Sequence, residues 1–488
     1  MSPIGRLNTC LRVLCLGVLV GCDGPAPSIE NRQRNSVFDA IAQGDLGTDD
    51  PLDAMVGAVP PDDSITDLGR VMIDAFKPHR PCSGGSVSST GEARLGVSGC
   101  EIRRNGSPSG VLRGVVVSAD SLTTPLSTSA HTESDFQSLK ERGLDYVWLL
   151  VPLKGLMPIE ETFDAAFMGR VCTQADGIRL AGLDLLVGVY GDTRTGRTED
   201  GGPAWVNDLS PDPFVRSDLF WERHSHHLTE AWRRLLDTCG DVLSISGAQP
   251  LVSPSIGLNE TSLAIIRMRF EAIFDLIEER QGPVMRLVEK VIGPSEDHIY
   301  WADIWSDTVY MPSALLDQRE RGAGLTAERL ATLKNQANEL GLPLWIRAVA
   351  GTTVEALEGQ LDVLDAQGVM GALWHDGISG DFALRRPDWS LKDTFEAVLE
   401  RPLVRSYQGE GLSVIANREQ TTFEWFARGS QVELFEFEPG WHGSDCSVEL
   451  DAESTTDVSY AYDPIKRSVT VVLVAGEGRR KLTVTSGP

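Results

Sequence analysis

Ser244-Ile245-Ser246-Gly247-Ala248-Gln249-Pro250 closes a short apolar run, residues 241–245, directly behind a helical stretch at 228–239. A run of that length, bounded by a helix on one side and Pro250 on the other, reads as a strand. Similar runs recur at 114–117, 146–151, 183–189, 284–288, 299–304, 344–349 and 371–374. Amphipathic stretches at 135–142, 163–179, 262–279, 327–340 and 354–367 separate most of them. Strands buried on both faces and joined by helices predict an α/β fold, a closed (β/α)8 TIM barrel. A hairpin around Glu101-Ile102-Arg103-Arg104-Asn105-Gly106 precedes the first strand and is expected to cap the barrel's bottom.

Beyond Arg405 the pattern changes. Residues 421–426, 431–437, 468–474 and 481–485 alternate in hydrophobicity with period two, which predicts a small C-terminal antiparallel β-sandwich. Residues 23–80 are polar and rich in Pro and Asp, apart from brief apolar patches at 37–41 and 71–76, and read as a flexible tether. The expected organisation is a targeting segment at 1–21, a tether at 22–80, a barrel with its hairpin at 81–402, and the sandwich at 403–488.

The chain has 488 residues, 41% of them hydrophobic and 23% charged, as in a soluble globular protein. Its formal charge is −26, and no cluster of Lys and Arg stands out. Nucleic acid is therefore not an expected partner, since duplex binding needs clustered cations.

At the N-terminus Arg6 and Arg12 flank the apolar run 10–20, which is too short to span a bilayer. Leu19-Val20-Gly21-Cys22 resembles the bacterial lipoprotein cleavage box. That resemblance implies cleavage before Cys22, lipidation of its thiol, and membrane anchoring in the bacterial cell envelope, facing the periplasm or the exterior. An ordinary signal peptide with a chance Cys is the alternative. Export makes disulfides possible. Cys82 and Cys100 bracket a Gly/Ser-rich segment and are expected to pair; Cys172 and Cys239 are a possible second bridge, leaving Cys446 over. None of these spacings suits zinc, so no metal is expected, and no cofactor either.

Several phrases, in order, resemble the endoglycoceramidase-related branch of glycoside hydrolase family 5. They are Leu112-Arg113-Gly114-Val115, Gly202-Pro203-Ala204-Trp205, Glu230-Ala231-Trp232-Arg233, Pro343-Leu344-Trp345-Ile346 and Leu403-Val404-Arg405-Ser406-Tyr407. The resemblance covers about residues 100–488 and implies a retaining glycosidase fold. Retaining chemistry needs two carboxyls about 5–5.5 Å apart, a nucleophile and an acid/base. The family's acid/base position, in an Asn-Glu-Pro tripeptide, falls on Gln249 within Ala248-Gln249-Pro250. Its nucleophile position falls on Ala348, beside Arg347. The family's strand-two Arg falls on Trp148, its next aromatic and acid on Leu153 and Lys154, and its strand-six His on Asp303. In strand three its Met-His-Gln-Asp falls on Val189-Tyr190-Gly191-Asp192, so the His is lost and the Asp kept, while the strand-eight Trp is retained as Trp374. Neither an amide nor a methyl group can perform the missing steps.

Other acids stand at or just past the expected strand ends: Asp120, Asp192, Asp303 and Asp376. Asp192 with Asp303 or Asp376 is the best alternative catalytic pair, with His375 as a candidate base; each of these can equally be a cap or a solvated loop residue. Glu289, His298 and Asp303 have no known metal spacing. Tyr190, Trp205, Trp301, Trp305 and Trp374 lie at expected strand ends or the loops after them, where aromatic rings stack on sugars. Trp205 and Trp305 are the stronger candidates for ligand contact; Trp301 and Trp374 are as readily core. The sequence therefore points to an exported, lipid-anchored, glycoside-hydrolase-like pseudoenzyme that binds a glycan or glycolipid. The alternatives are an active glycosidase with relocated carboxylates and a purely structural cell-surface protein.

Overall fold

The structure, a computed structural model, describes residues 95–98, 101–104, 107–119, 131–191, 202–209, 217–252, 260–288, 308–310, 325–339, 341–351, 353–373, 376, 383–386, 390–427, 432–452 and 455–487. All of these fall in one compact unit, Pro78–Pro488. The targeting segment, the tether and the Cys82–Cys100 pair lie outside the described residues.

A short antiparallel meander opens the unit: β1 (Leu95–Ser98), β2 (Glu101–Arg104) and β3 (Ser107–Pro108). Eight strands follow: β4 (Arg113–Ser118), β5 (Tyr146–Pro152), β6 (Asp184–Tyr190), β7 (Ile245–Gln249), β8 (Met285–Val288), β9 (Thr308–Tyr310), β10 (Trp345–Val349) and β11 (Met370–Leu373). They form one parallel sheet in the order β10-β11-β4-β5-β6-β7-β8-β9. This is the expected barrel sheet, in the order that brings the last two strands round to the first. Among the described residues no ladder joins β9 to β10.

One strand boundary differs from expectation, and one expected strand lies outside the described residues. The helix Asp218–Cys239 ends at Gly240, whose φ of 54° a side chain would strain, and a 3-10 turn, Gly240–Val242, comes next. The strand therefore begins at Ile245, four residues further than the apolar run suggested, and Gln249 is its last residue. The sixth strand is Thr308–Tyr310, whereas the expected run 299–304 lies outside the described residues.

The helices begin where side-chain oxygens meet the free N–H groups of the first turn. Thr132 and Asp135 form a capping box on Glu133–Glu141, and Asp164, Ser217 and Thr353 cap Ala165–Leu180, Asp218–Cys239 and Val354–Ala366. Cys172 and Cys239 are joined by a disulfide across 67 residues, which ties two neighbouring outer helices together. Closing a loop of that size stabilises the fold by about 4 kcal/mol on the chain-entropy account. Cys446 is free and buried.

The sandwich consists of two four-stranded antiparallel sheets. One is β12 (Leu403–Ser406), β15 (Glu433–Glu438), β18 (Ser468–Ala475) and β17 (Thr455–Asp463), in that order; the other is β13 (Glu410–Ala416), β14 (Gln420–Ala427), β19 (Gly478–Thr485) and β16 (Ser447–Ala452). Phe423, Trp425, Phe435 and Phe437 form its centre.

Meander, barrel and sandwich meet on one buried carboxylate. Asp145, just before β5, accepts from Arg104 at 3.0 Å, from Arg405 at 2.5 Å and from the Arg113 backbone N–H at 3.0 Å. Burial alone would raise its pKa; the charges of Arg405 and Arg104 outweigh that and hold it below the ordinary carboxylate value. Arg104 also reaches Asp184 at 2.9 Å, so the meander is clamped to the N-terminal ends of β5 and β6, as expected of a bottom cap. Arg405 pairs in turn with Glu438. Gly110 donates to the Arg405 carbonyl at 3.0 Å, and a Cβ there would collide with the Val404 carbonyl, so only glycine fits this joint.

Candidate functional site

Alternation along the strands sends every second side chain into the barrel. Val116, Trp148, Leu186, Leu287, Trp345 and Ala372 are among those that fill the interior. Near the C-terminal ends, where barrel enzymes work, this inner column becomes polar. Trp148 is 1% exposed and Gln249 2% exposed. The Arg347 guanidinium, itself buried, lies 5.3 Å from the centre of the Trp148 ring. Ala348 follows Arg347 within β10.

Gly188 of β6 is the register partner of Gln249 and explains how the indole is admitted. A Cβ at Gly188 would stand 3.0 Å from Trp148 Nε1 and 2.7 Å from the Val252 side chain. The ring therefore lies against bare backbone, one strand from Gln249. Gln249 Oε1 and Trp148 Nε1 are both buried with no hydrogen-bond partner among the described residues. The Pro250 carbonyl beyond Gln249 accepts from Trp232 Nε1 at 3.1 Å, so the tryptophan of the Glu230-Ala231-Trp232-Arg233 phrase pins the end of this strand. Tyr190, half-buried at the end of β6, meets Ser118 Oγ at 3.1 Å across the barrel mouth.

Asp376 is the one carboxylate among the described residues within three positions of a barrel strand's C-terminal end. It is not available for proton transfer. His131 Nε2 lies 2.9 Å from its Oδ2, and Arg385 donates to both oxygens, at 2.5 Å and 2.9 Å. Burial opposes the charge, but His131 and Arg385 prevail and hold the pKa at about 2. Its backbone N–H continues the sheet by donating to the Val116 carbonyl at 2.8 Å. The carboxylate offered by the sequence as a relocated acid is thus a strut between β11, the first outer helix and the Arg385 segment.

A folded pKa below the unfolded one stabilises the fold at pH above the unfolded value and ceases to do so as pH falls through the folded value. Asp376 is therefore expected to contribute about 2 kcal/mol above pH ~4, lost between about pH 4 and pH 2. Urea unfolding of Asp376→Asn beside the parent checks this. The stability gap should shrink by that amount across the window, and a gap independent of pH would refute the assignment.

Trp205, expected to offer a stacking face, is instead buried at 7% exposure. Its Nε1 donates to the Met157 carbonyl at 3.0 Å and its ring meets His227 edge-on at 5.1 Å. The ring belongs to the core because the short helix Ala204–Leu209 folds it inward. His227 is held in turn by Glu160, 2.9 Å away, a polar contact that the sequence did not suggest. Asp120, Asp192, Asp303, Trp301, Trp305, Trp374, His375, Glu289 and His298 lie outside the described residues. Among the described residues no three His, Cys, Asp or Glu side chains gather closely enough to hold a metal ion. No helix among them is long and apolar enough to cross a membrane.

No protein-family model matches the chain, and no curated protein matches it significantly. Solved structures do. Endo-glycoceramidase II from Rhodococcus sp. aligns with a TM-score of 0.57 at 17% identity, over 78% of this chain and 98% of its own. An endogalactoceramidase aligns with a TM-score of 0.54 at 16% identity, over 81% and 100%. Sterylglucosidase 1 of Cryptococcus neoformans reaches a TM-score of 0.60 at 10% identity, over 84% and 99%. At such identities the likeness is one of fold: the chain is built as these proteins are, over nearly their whole length.

Proposed function

We propose that this chain is an exported, lipid-anchored protein of the bacterial cell envelope whose barrel binds a glycan or glycolipid without hydrolysing it. The observation that carries this reading is the buried Gln249–Trp148–Arg347 group, which contains Gln249 and adjoins Ala348, the two positions where the resemblance puts a glycosidase's acids. Each member opposes hydrolysis for a different reason. An amide at Gln249 cannot deliver a proton to a leaving oxygen. Trp148 fills space beside Gly188 that a sugar ring would need. A guanidinium at Arg347 repels the positive charge that builds on the anomeric carbon. The saccharide is then held further out, at the level of Tyr190, a half-buried ring that ends β6.

Purified protein tested on an array of glycans and glycolipid headgroups should show selective binding that Tyr190→Ala weakens about tenfold, without turnover of the bound ligand. Binding unaffected by Tyr190→Ala would move the ligand elsewhere. A blank array would leave the structural reading, which the close burial of Gln249, Trp148 and Arg347 also favours.

A further inference from the structure

We infer that the bottom of the barrel lies on a lipid bilayer, through the turn between β17 and β18 and the end of the helix Ala165–Leu180, so that the mouth faces away from the membrane. This rests on the lipid anchoring proposed above. Ile465 is 93% exposed, more than any other large apolar side chain among the described residues, and Leu180 is 51% exposed. The turn that presents Ile465 is braced. Asp463 Oδ1 accepts from the Ile465 N–H at 2.9 Å and from the Lys466 N–H at 3.2 Å. Arg467 adopts a φ of 56°, a left-handed conformation that strains most side-chain-bearing residues, and its guanidinium donates to the Glu141 carbonyl. Glu141 ends the helix Glu133–Glu141 shortly before β5 begins, so the turn adjoins the barrel's bottom. Leu180 ends the neighbouring helix shortly before β6 begins, at the same end.

Apolar side chains are exposed at the mouth end as well, and charge separates the two ends. There Leu219, 71% exposed, stands between Asp218 and, one turn on, Glu222. Ile159, 66% exposed, is followed by Glu160 and Glu161, the first of which meets Arg223. At the bottom, Ile465 is followed by Lys466 and Arg467, both exposed, with Lys466 3.9 Å from Glu436. Leu180 is preceded by Arg179, which pairs with Asp176. Lys and Arg stems lie along apolar surface while their heads stay in water, and anionic lipid attracts those heads. It repels the carboxylates beside Leu219 and Ile159. A bilayer containing anionic lipid therefore fits the bottom and not the mouth.

The chain also enters the folded unit at this end, because β1 belongs to the meander that Arg104 clamps to Asp184 at the start of β6. Residues 22–94 could reach about 250 Å if extended, so an anchor on Cys22 permits either end to face lipid. The surface, not the anchor, sets the orientation. Once the chain is anchored the contact is intramolecular, and an effective concentration in the millimolar range lets weak contacts of this kind hold. The barrel mouth, with Tyr190, then opens to the aqueous side, and the saccharide is met there and not in the leaflet that holds the anchor.

Hydroxyl-radical footprinting of the full chain on vesicles of phosphatidylethanolamine and phosphatidylglycerol tests this. The mass of the N-terminal peptide reads lipidation separately; a chain found without lipid is coupled at its N-terminus to phosphatidylethanolamine, so the surface is tested in either case. Relative to a vesicle-free Cys22→Ser chain, oxidation of Ile465 and Leu180 should fall about fivefold, and that of Ile159 and Leu219 should not change. Ile465→Asp should return Leu180 to its vesicle-free reactivity while leaving the urea unfolding midpoint unchanged. Undiminished oxidation of Ile465, an equal fall at Ile159 and Leu219, or protection of Leu180 that survives Ile465→Asp would each overturn the inference. So would protection seen only on vesicles that retain envelope proteins, which would assign the surface to a protein partner.

Discussion

Aryl β-glycosides incubated with the purified full chain are expected to turn over at least about 10⁴-fold more slowly than with a working retaining glycosidase. Loss of general acid/base help alone costs roughly 10²–10⁴ in rate. Without a nucleophile the covalent route is closed as well, and groups that act as a unit do not stand in for one another. The same reasoning extends to repair. Gln249→Glu should remain silent, since it supplies a proton donor with nothing to attack the sugar. Gln249→Glu/Ala348→Glu should recover little more. The Trp148 ring would still fill the space beside Gly188, and the Arg347 guanidinium next in the chain to position 348 would still oppose the positive charge of the transition state. Release of nitrophenol by the parent at a rate within tenfold of a working enzyme would refute the proposed function outright.

Asp145→Ala is expected to destabilise the protein by about 3 kcal/mol or more, because removing one partner of a buried ion pair leaves charge uncompensated. The site is demanding in this respect. Asp145 is fully buried, and its loss strands parts of Arg104, Arg405 and the Arg113 backbone N–H together. Asp184 and Glu438 remain to hold the two guanidiniums, which sets the effect toward the lower end of the range. Asp145→Asn keeps an acceptor for the Arg113 N–H and should cost less. Urea denaturation of the three proteins measures the order; equal stability of Asp145→Ala and the parent would show that the joint is redundant.

The barrel was legible because its strands are buried on both faces and so appear as unbroken apolar runs. Strand β7 was read four residues early since a strongly apolar run, Val242-Leu243, belongs to a turn and linker, and sequence hydrophobicity does not report the positive φ of Gly240. Half of the sandwich is legible: β14, β15, β18 and β19 show as apolar alternating runs, whereas β17 opens on the polar run Thr455-Thr456-Asp457 and β16, although it alternates, offers only Val448 and Leu450 among acids. Gln249 and Ala348, the positions where the resemblance would put acids, could be read from a tripeptide and one strand. The stacking of Arg347 on Trp148 could not, because those residues are 199 positions apart and meet only once the sheet curls. Trp205 misled for the opposite reason: a tryptophan after a strand looks the same in sequence whether its ring faces sugar or core, and the Met157 carbonyl settles the matter here. Asp376 carried no sign of Arg385 and His131, its partners from two other segments.

Gly188 and Trp148 share one volume. An indole resting on bare backbone can be removed only if something else occupies the vacated volume, and a side chain larger than hydrogen can enter at that glycine only after the indole has left. The two positions are therefore bound to each other: a substitution at either is tolerated only in company with a matching one across the strand.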